Sequence, residues 1–228
     1  MKPVIKLLGL PGAGCTRFKK AFESHCQTDC PDIATQWSDL TTDCLREWTL
    51  IDVRSPLAHP DAEAFLMQCL SQSSAVVFSF VESADLDAQL FWQKWLTAHH
   101  IKLPVFRWFS QCFPEDWDWQ TFGENRAKPD DSEIISSLET KHFSLGEINL
   151  EHLMFGLDAA KQNLGMDLWR VKGCLQTEEY MNPVALEGTV NRWDTFAADQ
   201  ADGELILQGK NLDNTLLSEI LSACQAMG

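Results

Sequence analysis

Gly9, Gly12, Gly14 and Thr16 fall within GLPGAGCT, residues 9–16. Their spacing follows the phosphate-loop pattern G-x-x-x-x-G-K-[ST] at every position but one. In such a loop, successive backbone N–H groups curl around an anion at a helix N-terminus. Glycines permit the backbone angles this needs. The lysine adds a point charge on the β- and γ-phosphates, and the hydroxyl reaches Mg²⁺. Here Cys15 stands in the lysine's place. It supplies no positive charge, and a cysteine at a helix N-terminus is expected to ionise more readily, which would oppose phosphate. Arg17, Lys19 and Lys20 follow, but a helix is expected to point them in other directions. The candidate nucleotide site is therefore Gly9, Gly12, Ala13, Gly14, Cys15 and Thr16. Asp52, at the end of the apolar run WTLIDV, joins it as a residue able to hold a magnesium water. An aspartate at a strand end also serves as a plain turn cap.

A second cluster is HCQTDC, residues 25–30, which places His25, Cys26 and Cys30 in one short segment, with Cys44 further on. Soft nitrogen and sulfur ligands suit zinc or copper(I). Against this, most of the eight cysteines are expected to act as small buried apolar groups. His99 and His100 end a helical pattern, where histidine complements the helix dipole. Arg170 and Lys172 alternate along a strand-like run and share one face, open to an anion, an acidic partner or plain solvent.

The elements that must position these residues follow from periodicity. Residues 3–8 form an apolar run ending in glycine, and Phe18, Ala21 and Phe22 then recur at helical spacing. Apolar runs at 48–53, 75–81 and 103–109 alternate with amphipathic helices beginning near Asp61 and spanning about 85–99. That alternation implies a parallel sheet with helices packed on it. Residues 114–137 lose the rhythm and read as a polar connection.

The pattern then changes. KHFSL suggests a short strand. Residues 149–164 suggest a helix with Asn149 as N-cap and Gly165 at its end. Strand-like runs follow at 168–175, 184–191 and 204–208, without crossover helices, and a closing helix at about 212–225. The expected fold is α/β: a parallel-sheet, phosphate-loop-like domain at 1–113, a connection at 114–140, and a small α+β domain at 141–228. That second domain is expected to hold an antiparallel sheet and two helices.

The chain has 228 residues and a net charge of −15. An acidic surface repels phosphate backbones, so no nucleic-acid partner is expected. No run approaches the ~18 apolar residues of a membrane span, so no membrane partner is expected either. The scattered cysteines, without a C-x-x-C pair or a secretory leader, fit a reduced cytoplasmic protein.

Taken together, these stretches resemble the CobW-type P-loop GTPases, a family related to HypB and UreG with metal-chaperone and cofactor-insertion roles. GLPGAGCT resembles the family's G-x-P-G-[AS]-G-K-T loop. LIDVRSPLAHP resembles its strand, acid and Ser-Gly-Leu-Ala-x-Pro stretch, and AVVFSFVESAD resembles the strand that follows. In the second half, LWRVKGCL, LEGTVNRW and ELILQGKNLDNTLLSEILSAC resemble the later strands and closing helix. The departures are as informative. The lysine is Cys15. Only 35 residues separate Thr16 from Asp52, where the family carries a switch segment and a C-x-C-C metal motif. The guanine-reading Asn-Lys-x-Asp is replaced by VFRWFSQCFPED.

The resemblance implies a degenerate relative, a pseudo-GTPase that does not hydrolyse nucleotide and works through a protein partner in metal homeostasis. Two alternatives stand beside it. One is a GTPase and metallochaperone that binds GTP and magnesium through an atypical loop. The other is a nucleotide-independent zinc carrier using the cysteines.

Overall fold

The structure is a computed structural model that describes residues 4–26, 30–35, 46–57, 59–110, 112–123 and 138–225. Cys44 and residues 124–137 of the expected connection lie outside them. The chain divides into two compact units, Met1–Ile135 and Ser136–Gly228.

The first unit runs β1 (Val4–Gly9), α1 (Cys15–His25), β2 (Asp32–Thr35), β3 (Arg46–Asp52), α2 (Pro60–Gln72), β4 (Ala75–Ser79), α3 (Leu86–Ala98) and β5 (Val105–Arg107). The strands form one parallel sheet in the order β2-β1-β3-β4-β5. β2, the four residues DIAT, was not expected, because so short a run has no readable period. Capping fixes the helix starts. His59 Nδ1 accepts from the Ala62 N–H at 3.3 Å, with Pro60 at the first helical position, and Asp85 Oδ1 accepts from the Ala88 N–H at 2.7 Å.

Alternation along the strands loads both faces of this sheet. Ile51, Val76 and Phe78 pack with Leu66 and Leu70 of α2 and Trp92, Trp95 and Leu96 of α3. Ile5, Leu7, Trp48, Leu50 and Val77 face the other way, onto Phe18 and Phe22 of α1. On that second face the described residues add an aromatic cover beside α1. Phe113, Trp117, Trp119 and Phe122 pack against the same core. Phe113 and Trp117 meet Phe22 edge-on at ring separations of 5.9 and 5.8 Å, and Phe122 meets Trp48 at 5.2 Å. Arg46 fastens this segment by donating to the carbonyls of Trp119 (2.6 Å), Gln120 (2.5 Å) and Phe122 (3.2 Å). The part of the polar connection at 114–123 thus packs its rings against the first unit's core. Its large rings are spaced by acids and turns, so no helical or strand period betrays them.

The second unit runs β6 (Glu139–Ser144), α4 (Leu150–Asn163), β7 (Asp167–Leu175), β8 (Val184–Thr189), β9 (Trp193–Ala197), β10 (Glu204–Lys210) and α5 (Asn214–Cys224). Its sheet has the order β6-β10-β7-β8-β9 and every pair is antiparallel. Asn149 caps α4, its Oδ1 accepting from the His152 N–H at 2.9 Å, and Gly165 follows the helix at φ 71°. One core joins Leu153 and Leu157 of α4, Leu217 and Leu221 of α5, and Val171, Leu186, Leu205 and Leu207 of the sheet. β9 was missed from the sequence. Its residues are half-buried or exposed at a sheet edge, so they carry no apolar run.

No helix among the described residues is long and apolar enough to cross a membrane.

Candidate functional site

In an open parallel sheet, ligands bind beyond the carboxyl ends of the strands where the strand order reverses. Here that point lies between β1, followed by Gly9, and β3, which ends at Asp52. The fold therefore brings the glycine loop and the candidate acid to the same end of the sheet.

The loop has the glycine-dependent backbone expected of it. Gly9, Gly12 and Gly14 lie at φ 149°, 93° and 91°, and Gly14 leads directly into α1. A Cβ on Gly9 would come within 2.5 Å of the Leu50 carbonyl oxygen, so β1 approaches β3 too closely for a side chain. Ala13 is buried, and the Ser79 hydroxyl ties the loop to the sheet by donating to the Ala13 carbonyl at 2.7 Å and the Ile51 carbonyl at 3.1 Å. Thr16 is exposed.

Cys15 does not behave as a helix N-terminal thiolate. Its sulfur turns back toward the Leu8 carbonyl, 3.9 Å away, and packs against the aliphatic and aromatic core. Burial pushes the thiol up to about 12, outweighing the stabilising backbone N–H at Cys15. The expected easily ionised thiol is corrected: desolvation defeats the helix N-terminus, and the side chain in the lysine's place is a neutral part of the core. Cys69 lies close enough to Cys15 to sense its charge, and burial pushes it up to about 12 as well.

Asp52 is engaged by its own turn. Arg54 Nε donates to Oδ1 at 2.9 Å and to Oδ2 at 3.1 Å, Nη2 donates to Oδ2 at 2.6 Å, and the Arg54 backbone N–H reaches Oδ1 at 3.0 Å. The two side chains are only 10% and 18% exposed. A bidentate fork of this kind is among the strongest neutralising contacts a carboxylate has.

Phe80 completes the arrangement. It sits at φ 59°, an uncommon conformation for a bulky residue, and its ring comes within 3.1 Å of where a Cβ on Gly14 would stand. Two guanidiniums approach the same ring, Arg54 at 3.8 Å and Arg17 at 4.6 Å from its centroid. Arg17 also pairs with Glu82 at 2.5 Å. Burial works against the ionised form of Glu82, but Arg17 and the backbone N–H groups of Glu82 and Ser110 hold its carboxyl below the usual range. Arg17 was expected to point elsewhere; its helix turns it toward the loop's neighbour instead.

Sequence reasoning missed Arg54 and Phe80. A cation two residues after the acid was a usable signal for the first. Nothing local marks the second, because its role depends on β4 lying beside the loop.

The metal candidates do not assemble into a set of three or more ligands among the described residues. The His25 ring stacks on Phe113 at 5.0 Å, while Cys26 and Cys30 pack against the aromatic core. Among the described residues no group of three or more His, Cys, Asp or Glu side chains could hold a metal ion. His99 caps α3 as expected, its Nδ1 lying 2.9 Å from the Trp95 carbonyl oxygen. Arg170 pairs with Glu187, and Lys172 is exposed.

Comparison with known proteins gives one family match. Residues 144–225 match the model of the cobalamin synthesis protein cobW C-terminal domain. No curated protein matches. Two solved structures are similar at low identity. One is the Zn(II)-bound YjiA GTPase from E. coli, at 12% identity over 99% of this chain and 100% of that one, TM-score 0.35. The other is a Zn(II)-bound triple mutant of YjiA GTPase, at 13% identity over 91% of this chain and 66% of that one, TM-score 0.33. This chain thus spans just under two thirds of the latter's length. The matched segment, about a third of the chain, covers α4, α5 and the strands β7 to β10, and over it the second unit is similar to the cobalamin synthesis protein cobW C-terminal domain.

Proposed function

We propose that this protein is a non-hydrolysing CobW-type accessory protein that retains the phosphate-loop fold and works through a protein partner in metal homeostasis. The observation that carries this reading is the Arg54 fork on Asp52, which occupies the carboxylate a magnesium water would need. Two further features support it. The Cys15 thiol is neutral and core-facing, and the Phe80 ring leans on Gly14. The link to metal homeostasis and the working partner follow from the family relationship alone.

Calorimetry with GTP, ATP and their diphosphates in magnesium tests the reading. The expected result is no binding at micromolar concentration, and none in Cys15→Lys, because a restored charge does not displace Arg54 or Phe80. Micromolar binding by the unaltered protein would overturn it.

One observation favours a second reading, a GTP-binding protein with an atypical loop. The Arg17 and Arg54 guanidiniums both reach the ring beside Gly14 and bring positive charge to that side of the loop. Under that reading, Arg54→Ala abolishes a nucleotide affinity that the unaltered protein shows.

A further inference from the structure

We propose that the outer face of α4 and the β7–β8 loop form a docking surface for a basic segment of a protein partner, one that carries apolar side chains between its Lys or Arg residues. The surface rests on the partner-dependent reading above and gives that partner a chemistry. Helical geometry sets up its apolar half. Leu153, Leu157 and Ala160 turn α4 into the second unit's core, each with no exposed surface. Phe155 stands two residues from both leucines, so at about 100° per residue it points away from that core, and it is 77% exposed. The β7–β8 loop is tied to the same end of α4. The Ile148 N–H donates to the Gln176 carbonyl at 3.1 Å and the Glu178 N–H to the Ile148 carbonyl at 3.0 Å. The Glu151 N–H donates to Glu179 Oε1 and Asn149 Nδ2 to Glu178 Oε2, both at 3.3 Å. Glu151 lies one turn, about 5.4 Å, before Phe155. Tyr180 and Met181 follow Glu179 directly and are 58% and 98% exposed. Aromatic residues and methionine left in solvent are the types enriched where proteins meet.

Charge selects the occupant. α4, α5 and residues 176–183 together contain one Lys or Arg, Lys161. Its Nζ donates to the carbonyls of Val190 at 2.5 Å and Thr189 at 3.2 Å. Near the exposed apolar side chains stand Glu147, Glu151, Glu178 and Glu179, all exposed. Glu178 and Glu179 are held there by their bonds to the start of α4, where the helix dipole favours negative charge. Such a surface attracts a segment of opposite sign. It repels acidic peptides, nucleic acid and a second copy of this chain, whose net charge is −15. The apolar anchors then supply most of the affinity, and the charges supply selection and orientation.

The test titrates the full chain, without nucleotide, with a synthetic lysine–leucine peptide whose leucines recur at helical spacing, and with its glutamate–leucine counterpart. Tyr180 is the chain's single tyrosine, so isotope labelling of tyrosine gives one ring signal in NMR, and it reports on this surface. The expected result is saturable binding of the lysine peptide that shifts the Tyr180 signal and weakens with added salt, and no binding of the glutamate peptide. Phe155→Ser and Met181→Ser change no charge, and calorimetry should show each weakening the lysine peptide by about tenfold or more. Undirected attraction to an acidic protein would leave both variants at full affinity, and that result overturns the proposal. An unmoved Tyr180 signal or equal binding of the glutamate peptide overturns it as well. So does self-association of the unaltered chain that Phe155→Ser abolishes, since the occupant is then a second copy. With no nucleotide present, failure here is separate from the titration that tests the loop.

Discussion

Replacing Arg54 by alanine should weaken the first unit by about 2–4 kcal/mol, and the magnitude follows from the geometry. The side chain makes three contacts of 2.6–3.1 Å to one carboxylate. Hydrogen bonds to charged groups contribute about 1.5–3 kcal/mol, and the 10% and 18% exposure of the partners places this fork short of the ~3–5 kcal/mol lost on breaking a fully buried pair. The guanidinium 3.8 Å from the Phe80 centroid adds about 0.5–1 kcal/mol of cation–π attraction. Arg54 makes other contacts as well, so the single variant does not isolate the fork.

A double-mutant cycle does. Urea unfolding of the unaltered protein, Arg54→Ala, Asp52→Ala and the double variant is followed by tryptophan fluorescence, to which Trp48, Trp92, Trp95, Trp108, Trp117 and Trp119 of the first unit contribute. The expected coupling energy is about 1.5–3 kcal/mol, the upper range for residues in direct contact. A coupling below about 0.5 kcal/mol, the level at which independent sites simply add, would refute the claim that Arg54 holds Asp52. Arg54→Ala is then also the background in which a magnesium–nucleotide complex should first be sought.

Other expectations follow from the same contacts. Arg46→Ala should destabilise the first unit by about 2–4 kcal/mol, since it strands three carbonyls that a charged donor now satisfies; chemical denaturation measures this, with Arg46→Lys recovering only part. The depressed Glu82 carboxyl contributes stability that is present above the ordinary value of about 4.3 and is lost as pH falls through its folded value. Glu82→Gln should therefore lower stability at neutral pH and flatten the acid limb of a pH-stability profile. Cys15 and Cys69, raised to about 12, contribute stability that is full below the ordinary thiol value of about 8.5 and is lost as pH rises toward 12. Urea midpoints should fall across alkaline pH, and in the folded protein iodoacetamide should modify exposed Cys112 well before half-buried Cys15 or buried Cys69.

Much of the scaffold is legible along the chain because its signals are local. The apolar run ending at Gly9, the glycines that follow and the helical spacing of Phe18 and Phe22 specify strand, turn and helix within a few residues. Asn149 and Gly165 bracket α4 for the same reason, and the absence of crossover helices after it requires antiparallel pairing. β2 and β9 escaped because a four-residue strand and a half-exposed edge strand have too few buried positions to show a period.

The sequence by itself determined the glycine loop, the loss of its lysine, the parallel-then-antiparallel order and the resemblance to the CobW-type family. Tertiary structure alone decided what the loop's neighbours do. Residue types left Cys15 open to ionisation, but its sulfur turns into the core and desolvation keeps it neutral. They left Asp52 free for a magnesium water, but the turn after β3 folds Arg54 back onto it. They made 114–123 a polar connection, but Arg46, 74 positions away from Gln120, pins that stretch against Trp48 and Phe22. A local period records only which face of an element is apolar. Whether a carboxylate, a thiol or a ring meets a cation, a carbonyl or solvent depends on packing between elements distant in the chain, and here that packing set the state of each group around the loop.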